Sequence, residues 1–236
     1  MIVVDAVSKR FGAIVALDRV SLVIEPGERV ALIGANGSGK TTLLRAMVGL
    51  LRAEGRVSIG GFDVRTDPTR ALAHLAYVPQ IAPPIDAPVS EVVRLFARLR
   101  NKRVDEVALR ARRLGLSLSD VASTRFRDLS GGTKQRVLAA LGLAADAPVL
   151  VCDEPTASLD IAARAAFFDE VAARAPASIL VLCSHRKEEV DAMVSRVIEL
   201  AEGRVVRDEQ LSPRGARPAQ ADGPLGVVLP IRRTAS

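Results

Sequence analysis

The sequence predicts an α/β fold. A mostly parallel sheet sits at the centre, with a small antiparallel β region ahead of it and a mainly helical insertion within it. Three observations predict this. Short apolar runs at residues 149–152, 178–183 and 196–200 are separated by stretches of helical spacing at 161–173 and 187–193. Strands joined by helices of that length imply crossover connections and hence parallel pairing. Residues 15–24 instead alternate apolar and polar (Val15, Leu17, Val20, Leu22, Ile24), the pattern of a half-buried strand. Between the two regions, residues 81–129 carry helical spacing and proline-rich connections but no strand-like run.

Taken in order, residues 2–7 read as a first strand, with Phe11-Gly12 in the turn that follows. The alternating strand then leads through Glu25-Pro26-Gly27-Glu28, a turn, into the apolar run Arg29–Ile33, a buried strand. A helix is expected over 42–48, and a short strand ending in a hairpin-like turn over 54–61. Leu75-Ala76-Tyr77-Val78 is a strand closed by Pro79-Gln80, and the prolines of 81–88 forbid regular structure for long. Ser90 is the expected N-cap of a helix to Leu99, and a second helix over 104–114 is stopped by Gly115. A helix over 135–143 precedes the strand at 149–152, and Glu202-Gly203 turns the last strand into 204–207. Residues 1–210 are expected to form one domain with the helical part, about 81–130, inserted in it. The Pro-, Gly- and Arg-rich stretch 211–236 reads as a flexible tail.

Composition narrows the functional classes. The chain has 236 residues, 49% hydrophobic and 25% charged, enough for a sizeable core. The longest apolar region, 137–152, is interrupted by Asp146 and Pro148, so no membrane-spanning helix is expected. The start, Met1-Ile2-Val3-Val4-Asp5, lacks the pattern of a signal peptide. Cys152 and Cys183 stand apart from other metal-ligand residue types and read as reduced core thiols. The formal charge of +6 comes with arginines clustered between Arg94 and Arg113. With one Tyr and no Trp to stack bases, these read as solvated helix faces, and no specific nucleic-acid partner is expected.

The chemistry is concentrated at Gly34-Ala35-Asn36-Gly37-Ser38-Gly39-Lys40-Thr41, which matches G-x-x-x-x-G-K-[ST]. Glycines let successive N–H groups converge into an anion nest, and Lys40 adds a point charge for β- and γ-phosphates. Thr41 offers a hydroxyl to Mg²⁺, and Thr42 a hydrogen bond to another phosphate oxygen. A strand before and a helix after aim a helix N-terminus at the phosphates. A second element is Asp153-Glu154 at the end of an apolar strand, where parallel strands face the ligand crevice. Asp153 is placed to hold Mg²⁺ through its water shell, and Glu154 to polarise an attacking water. A third is Leu129-Ser130-Gly131-Gly132-Thr133-Lys134-Gln135-Arg136, in which Ser130, Gly131 and Gly132 make a second anion-binding helix start. His74 has no motif around it and reads as structural or surface.

With these motifs in this order, residues 1–207 resemble the ATP-binding cassette ATPases, built on a P-loop NTPase core. The correspondence runs through Gly34 to Thr42 (Walker A), Gln80 (Q-loop), Leu129 to Arg136 (signature), Leu150 to Glu154 (Walker B), Ser158-Leu159-Asp160 (D-loop) and His185 (switch histidine). The resemblance implies ATP and Mg²⁺ as ligands, hydrolysis of ATP, and two cassettes facing head to tail. Each ATP would lie between the phosphate loop of one copy and the Ser130-Gly132 helix start of the other. It further implies that Phe11 stacks on adenine, that Gln80 contacts Mg²⁺ and water, that His185 touches the γ-phosphate, and that Asp160 couples the two sites. The partner would be a separate integral membrane permease, placing the chain on the cytoplasmic face of the membrane. The motif wording is nearest to ABC-2-type exporters. An importer cassette, or a soluble cassette ATPase acting on nucleic acid or ribosomes, are the alternatives. Thr133 departs from the Gln that many members carry.

Overall fold

The computed structural model describes residues 1–184 and 193–211. Its centre is a six-stranded sheet in the order β10-β9-β3-β8-β7-β6. The strands are β3 (Arg29–Ile33), β6 (Leu75–Val78), β7 (Val149–Asp153), β8 (Ile179–Cys183), β9 (Arg196–Ala201) and β10 (Arg204–Gln210). All pair in parallel except β10, which turns back antiparallel on β9. A second, antiparallel sheet has the order β2-β1-β4-β5, from β1 (Ile2–Phe11), β2 (Ile14–Ile24), β4 (Glu54–Ile59) and β5 (Phe62–Asp63).

Both faces of the large sheet are covered, which is why β7 and β8 are apolar at consecutive positions. Leu150, Cys152, Leu180 and Leu182 face one core, with α5 (Gly131–Ala144) and α6 (Ile161–Ala172). Val149, Val151, Val181 and Cys183 face the other, with α1 (Lys40–Met47) and the antiparallel sheet. The two cysteines therefore lie on neighbouring strands but on opposite faces, and both are free thiols. The helical insertion contributes α3 (Val89–Leu99) and α4 (Val104–Arg113) to the first core, where Val93, Val107 and Phe126 are fully enclosed. Glu170 of α6 accepts from Arg110 and Arg113 of α4 and ties the insertion to the sheet.

The structure corrects several boundaries. Phe11 ends β1 rather than lying in the turn, which falls at Gly12-Ala13. The first helix begins at Lys40, two residues early, and α5 at Gly131, four residues early. Ser90 is not the cap of α3. Pro88 holds that position, and the N–H groups of Val89 and Ser90 donate to the Thr124 and Ala122 carbonyls at 3.0 Å each. A short helix α2 (Pro68–Ala73) escaped the sequence reading. The expected helix at 187–193 and the tail lie outside the described residues, apart from Met193 and Leu211.

Candidate active site

The phosphate loop hangs from the end of β3, which is held in parallel between β8 and β9. Two of its glycines are required by close approach. A Cβ at Gly34 (φ 138°) would stand 2.2 Å from the Leu200 carbonyl oxygen, and one at Gly39 (φ 106°) 2.5 Å from that of Ala16. Only glycine meets both the backbone angle and the space. Gly39 is also the N-cap of α1, so this helix starts without a side-chain cap and without an acid in its first turn. Its first amides are thus left to whatever lies beyond the loop. Lys40 folds over the loop, its Nζ donating to the carbonyls of Gly34 at 2.8 Å and Ala35 at 2.9 Å. Ser38 is buried and its Oγ has no partner among the described residues.

Opposite stands the end of β7. Asp153 is almost wholly buried, and Thr41 Oγ1 donates to its Oδ1 at 3.4 Å. Burial pushes the Asp153 carboxyl above its ordinary range against the hydrogen bond from Thr41. The Cys183 thiol is pushed up to about 12 by burial and by the neighbouring Asp153 charge, so it is a neutral group at this site. Glu154 takes a left-handed backbone (φ 47°), and its N–H donates to the Cys183 carbonyl at 2.9 Å. A non-glycine residue held there is under backbone strain, which the surrounding fold must over-determine.

These elements share one cleft of about 430 Å³, lined by Asn36, Gly37, Gly39, Lys40, Thr41 and Thr42 together with Gln80 and Glu154. Ile14 and Ala16 of β2 also line it. The sequence reading missed them, because an alanine carries no chemical signal and Ile14 looks like any strand residue. Phe11 is not in the lining. It pairs with Ile14 at the hairpin end, is 50% exposed, and carries the Lys9 Nζ 5.2 Å from its ring centroid. A larger cleft of about 500 Å³ beside Val7, Arg52, Val57 and Val64 is chemically plainer, with none of the motif residues. Gln80 lines a third opening as well, a groove of about 370 Å³ shared with Arg45, Leu50, Tyr77, Ile81 and Asp153. Burial and the Asp153 charge raise the Tyr77 hydroxyl to about 12.

Ser130, Gly131 and Gly132 do not line the cleft. Ser130 caps α5, its Oγ accepting from the Thr133 N–H at 3.2 Å and lying 2.8 Å from the Thr133 hydroxyl. A Cβ on Gly132 would come within 3.0 Å of the Ser158 carbonyl oxygen, so the α5 start and the segment before α6 are close neighbours. Asp160 caps α6, accepting from the Ala163 N–H at 2.8 Å, and pairs with Arg136. His185 lies outside the described residues.

The residues present fit a nucleotide and Mg²⁺. The partnerless buried Ser38 hydroxyl and the uncapped α1 amides suit phosphate oxygens. The Thr41 hydroxyl and Asp153 carboxylate are the hard oxygen donors Mg²⁺ takes alongside substrate phosphates. Among the described residues no group of three or more His, Cys, Asp or Glu is placed to hold a metal, and Mg²⁺ bound partly through phosphates needs none.

Comparison with known proteins agrees with this geometry. The sequence profile of the ABC transporter family matches residues 17–157. The chain is 40% identical over 187 residues to the zinc import ATP-binding protein ZnuC of Cereibacter sphaeroides, covering 77% of this chain and 71% of that protein. It is 30% identical over 195 residues to the phospholipid-transporting ATPase ABCA3 of Rattus norvegicus, covering 80% of this chain but only 11% of that much longer protein. Among solved structures, an ATP-binding subunit of an ABC transporter superposes with a TM-score of 0.79 at 27% identity, over 89% of this chain and 90% of that one. A dimeric bacterial ABC transporter cassette superposes at 0.76 with 26% identity, over 90% of this chain and 99% of that one. Phosphate loop, acid pair and signature, carried on this sheet in this order and matched by these relatives, show that the chain belongs to the ABC transporter family and is one of its ATP-binding cassette ATPases.

Proposed function

We propose that two copies of this chain, or this chain and a related cassette, clasp ATP head to tail and use its hydrolysis to drive a separate integral membrane permease. One observation carries the proposal: Gly37, Lys40, Thr41, Gln80 and Glu154 line one cleft, while Ser130, Gly131 and Gly132 of the same copy do not. The second half of the site then comes from a neighbour. The likeness to a dimeric cassette supports this arrangement. Residues 1–210 serve as the ATPase unit, with 81–130 as its inserted helical part and 211–236 as a tail.

In this reading Gly34, Asn36, Gly37, Ser38, Gly39 and Thr42 hold the phosphates through N–H and hydroxyl groups. Lys40 leaves its loop carbonyls for the β- and γ-phosphates. Thr41, Gln80 and Asp153 would hold Mg²⁺, which would supply neutralisation of phosphate charge when bound. Glu154 orients and deprotonates the attacking water, with His185 on the γ-phosphate. Phe11 stands at the adenine end, and Asp160 links the two sites. Replacing Glu154 by Gln should leave ATP binding intact, slow turnover by about 10²–10⁴, and trap a dimer in ATP. Unchanged turnover would remove Glu154 from this role.

The groove that Gln80 shares with Leu50 (67% exposed) and Ile81 (72% exposed) is where the permease docks. No helix among the described residues is long and apolar enough to cross a membrane. In this reading the permease is a separate element and the cassette lies peripherally on the cytoplasmic face. The motif wording favours an exporter. The ZnuC relatives, named for zinc import and matched over 71% or more of their length, favour an importer. Co-purification of the membrane partner, followed by transport assays in proteoliposomes, decides between them. ATPase stimulation by DNA or ribosomes instead would replace both.

A further inference from the structure

Gln135 has no place in the chemistry above, yet its side chain touches two of its segments. It sits in the second turn of α5, 4% exposed. Its Nε2 donates to the Pro155 carbonyl at 3.0 Å and to the Pro79 carbonyl at 3.3 Å. Both acceptors are proline carbonyls. Carbonyl oxygens only accept, and proline has no N–H, so the amide must present its NH₂ edge to both. Pro79 immediately precedes Gln80, and Pro155 immediately follows Glu154. Gln80 and Glu154 both line the same cleft. The Pro79 carbonyl shares one planar peptide unit with the Gln80 nitrogen, and the fixed φ of Pro155 removes one of the two soft torsions between its carbonyl and Glu154.

We propose that Gln135 is a positioning residue: one buried amide, carried on the helix that begins with Ser130, fixes the separation of Gln80 and Glu154 within a single subunit. Whatever a neighbouring copy does at the start of α5 is thereby passed to both residues in the cleft of the same chain. Arg136, the next residue, forms an ion pair with the Asp160 carboxylate. This inference rests on the reading of Gln80 and Glu154 given above.

The test is the full-length chain carrying Gln135→Met, which keeps length and apolar packing but removes both donors. Turnover number should fall about 10- to 100-fold, as for a misplaced catalytic group, while affinity for a fluorescent ATP analogue stays within about threefold. Wild-type turnover would overturn the proposal. So would parallel losses of turnover, nucleotide affinity and melting temperature, which mark a merely structural role. Should the methionine variant fail to fold, Gln135→Glu answers the same question. Its carboxylate has no hydrogen to give, but its protonated form regains one donor. Its turnover relative to wild type should therefore rise as pH falls from about 8 to 6, and a flat or inverted ratio would overturn the proposal. Glu154→Gln separates this inference from the reading beneath it. Slow Glu154→Gln with fast Gln135→Met removes only the positioning role, whereas fast Glu154→Gln removes both.

Discussion

Two helices in this molecule begin in glycine-rich stretches, and they begin in opposite ways. The start of α1 has a left-handed glycine for its cap, no side-chain hydrogen bond, and a place inside the cleft. The start of α5 is capped by its own Ser130, whose hydroxyl is already engaged by Thr133, and it stands away from that cleft. Neither has an acid in its first turn, so both keep their positive end. The difference teaches that the first is shaped around a ligand, while the second is a finished surface that can be offered to something outside the chain.

The strongest way to break this comparison is to put the two starts on separate chains. Lys40→Ala alone should lower hydrolysis by about 10²–10³, and Ser130→Phe should also silence the chain. Mixing the two variants should restore activity, because a mixed dimer keeps one intact pairing of loop and α5 start. Mixtures as inactive as their components would sink the two-copy site. Next in size is the tie that holds α5's surroundings to the sheet. Glu170→Ala leaves Arg110 and Arg113 without their shared carboxylate, and should cost about 2 kcal/mol, read as a lower melting temperature. Loop-side nucleotide contacts should be untouched, so an ATP analogue should still bind once the variant is folded.

A pH experiment sharpens the other side. Glu28 precedes β3, the strand that feeds the phosphate loop. Burial raises its carboxyl, but hydrogen bonds from the Glu25 N–H, Gln210 and Arg196 outweigh this and hold it below its ordinary 4.5. Because the folded value is the lower one, its stabilisation is whole above 4.5 and is lost as pH falls through the folded value. Protection of the β3 and β9 amides, measured relative to the intrinsic exchange rate at each pH, should therefore fall on acidification below that point, and protection indifferent to pH there would contradict the assignment. The smallest effect is expected at Thr133. Replacing it by Ala frees the Ser130 hydroxyl but leaves the backbone cap, so ATP turnover should change by no more than about threefold.

The contrast between the two starts also marks what could be read from residues alone. β3 and β6 were legible to the residue, because strands buried on both faces are continuous apolar runs bounded by turn residues. Both helix starts were placed too late: that of α1 because Lys40 and Thr41 were assigned to the phosphate loop, and that of α5 because glycine argues against helix and only the close approach of Gly132 to Ser158 shows why it is there. The start of α3 was misplaced for a related reason: its first amides are answered by carbonyls more than thirty residues away. Helix α2 has one fully buried residue, Ala71, and so no periodicity to detect, although Asp67-Pro68 was an available start signal. In the cleft, Lys40, Thr41, Gln80 and Glu154 were readable because their chemistry is borne by side chains in fixed motifs. Ile14 and Ala16 were not, being recruited by the fold of the hairpin.

The left-handed turn at Glu154 carries one last implication. Glycine would adopt that angle without penalty, so the backbone conformation at 154 does not itself call for a glutamate. A lineage of this chain released from turning over nucleotide, and selected only for heat resistance, should drift toward glycine at 154. Finding that residue in a sister sequence would mark a cassette that has kept its shape and retired from its work.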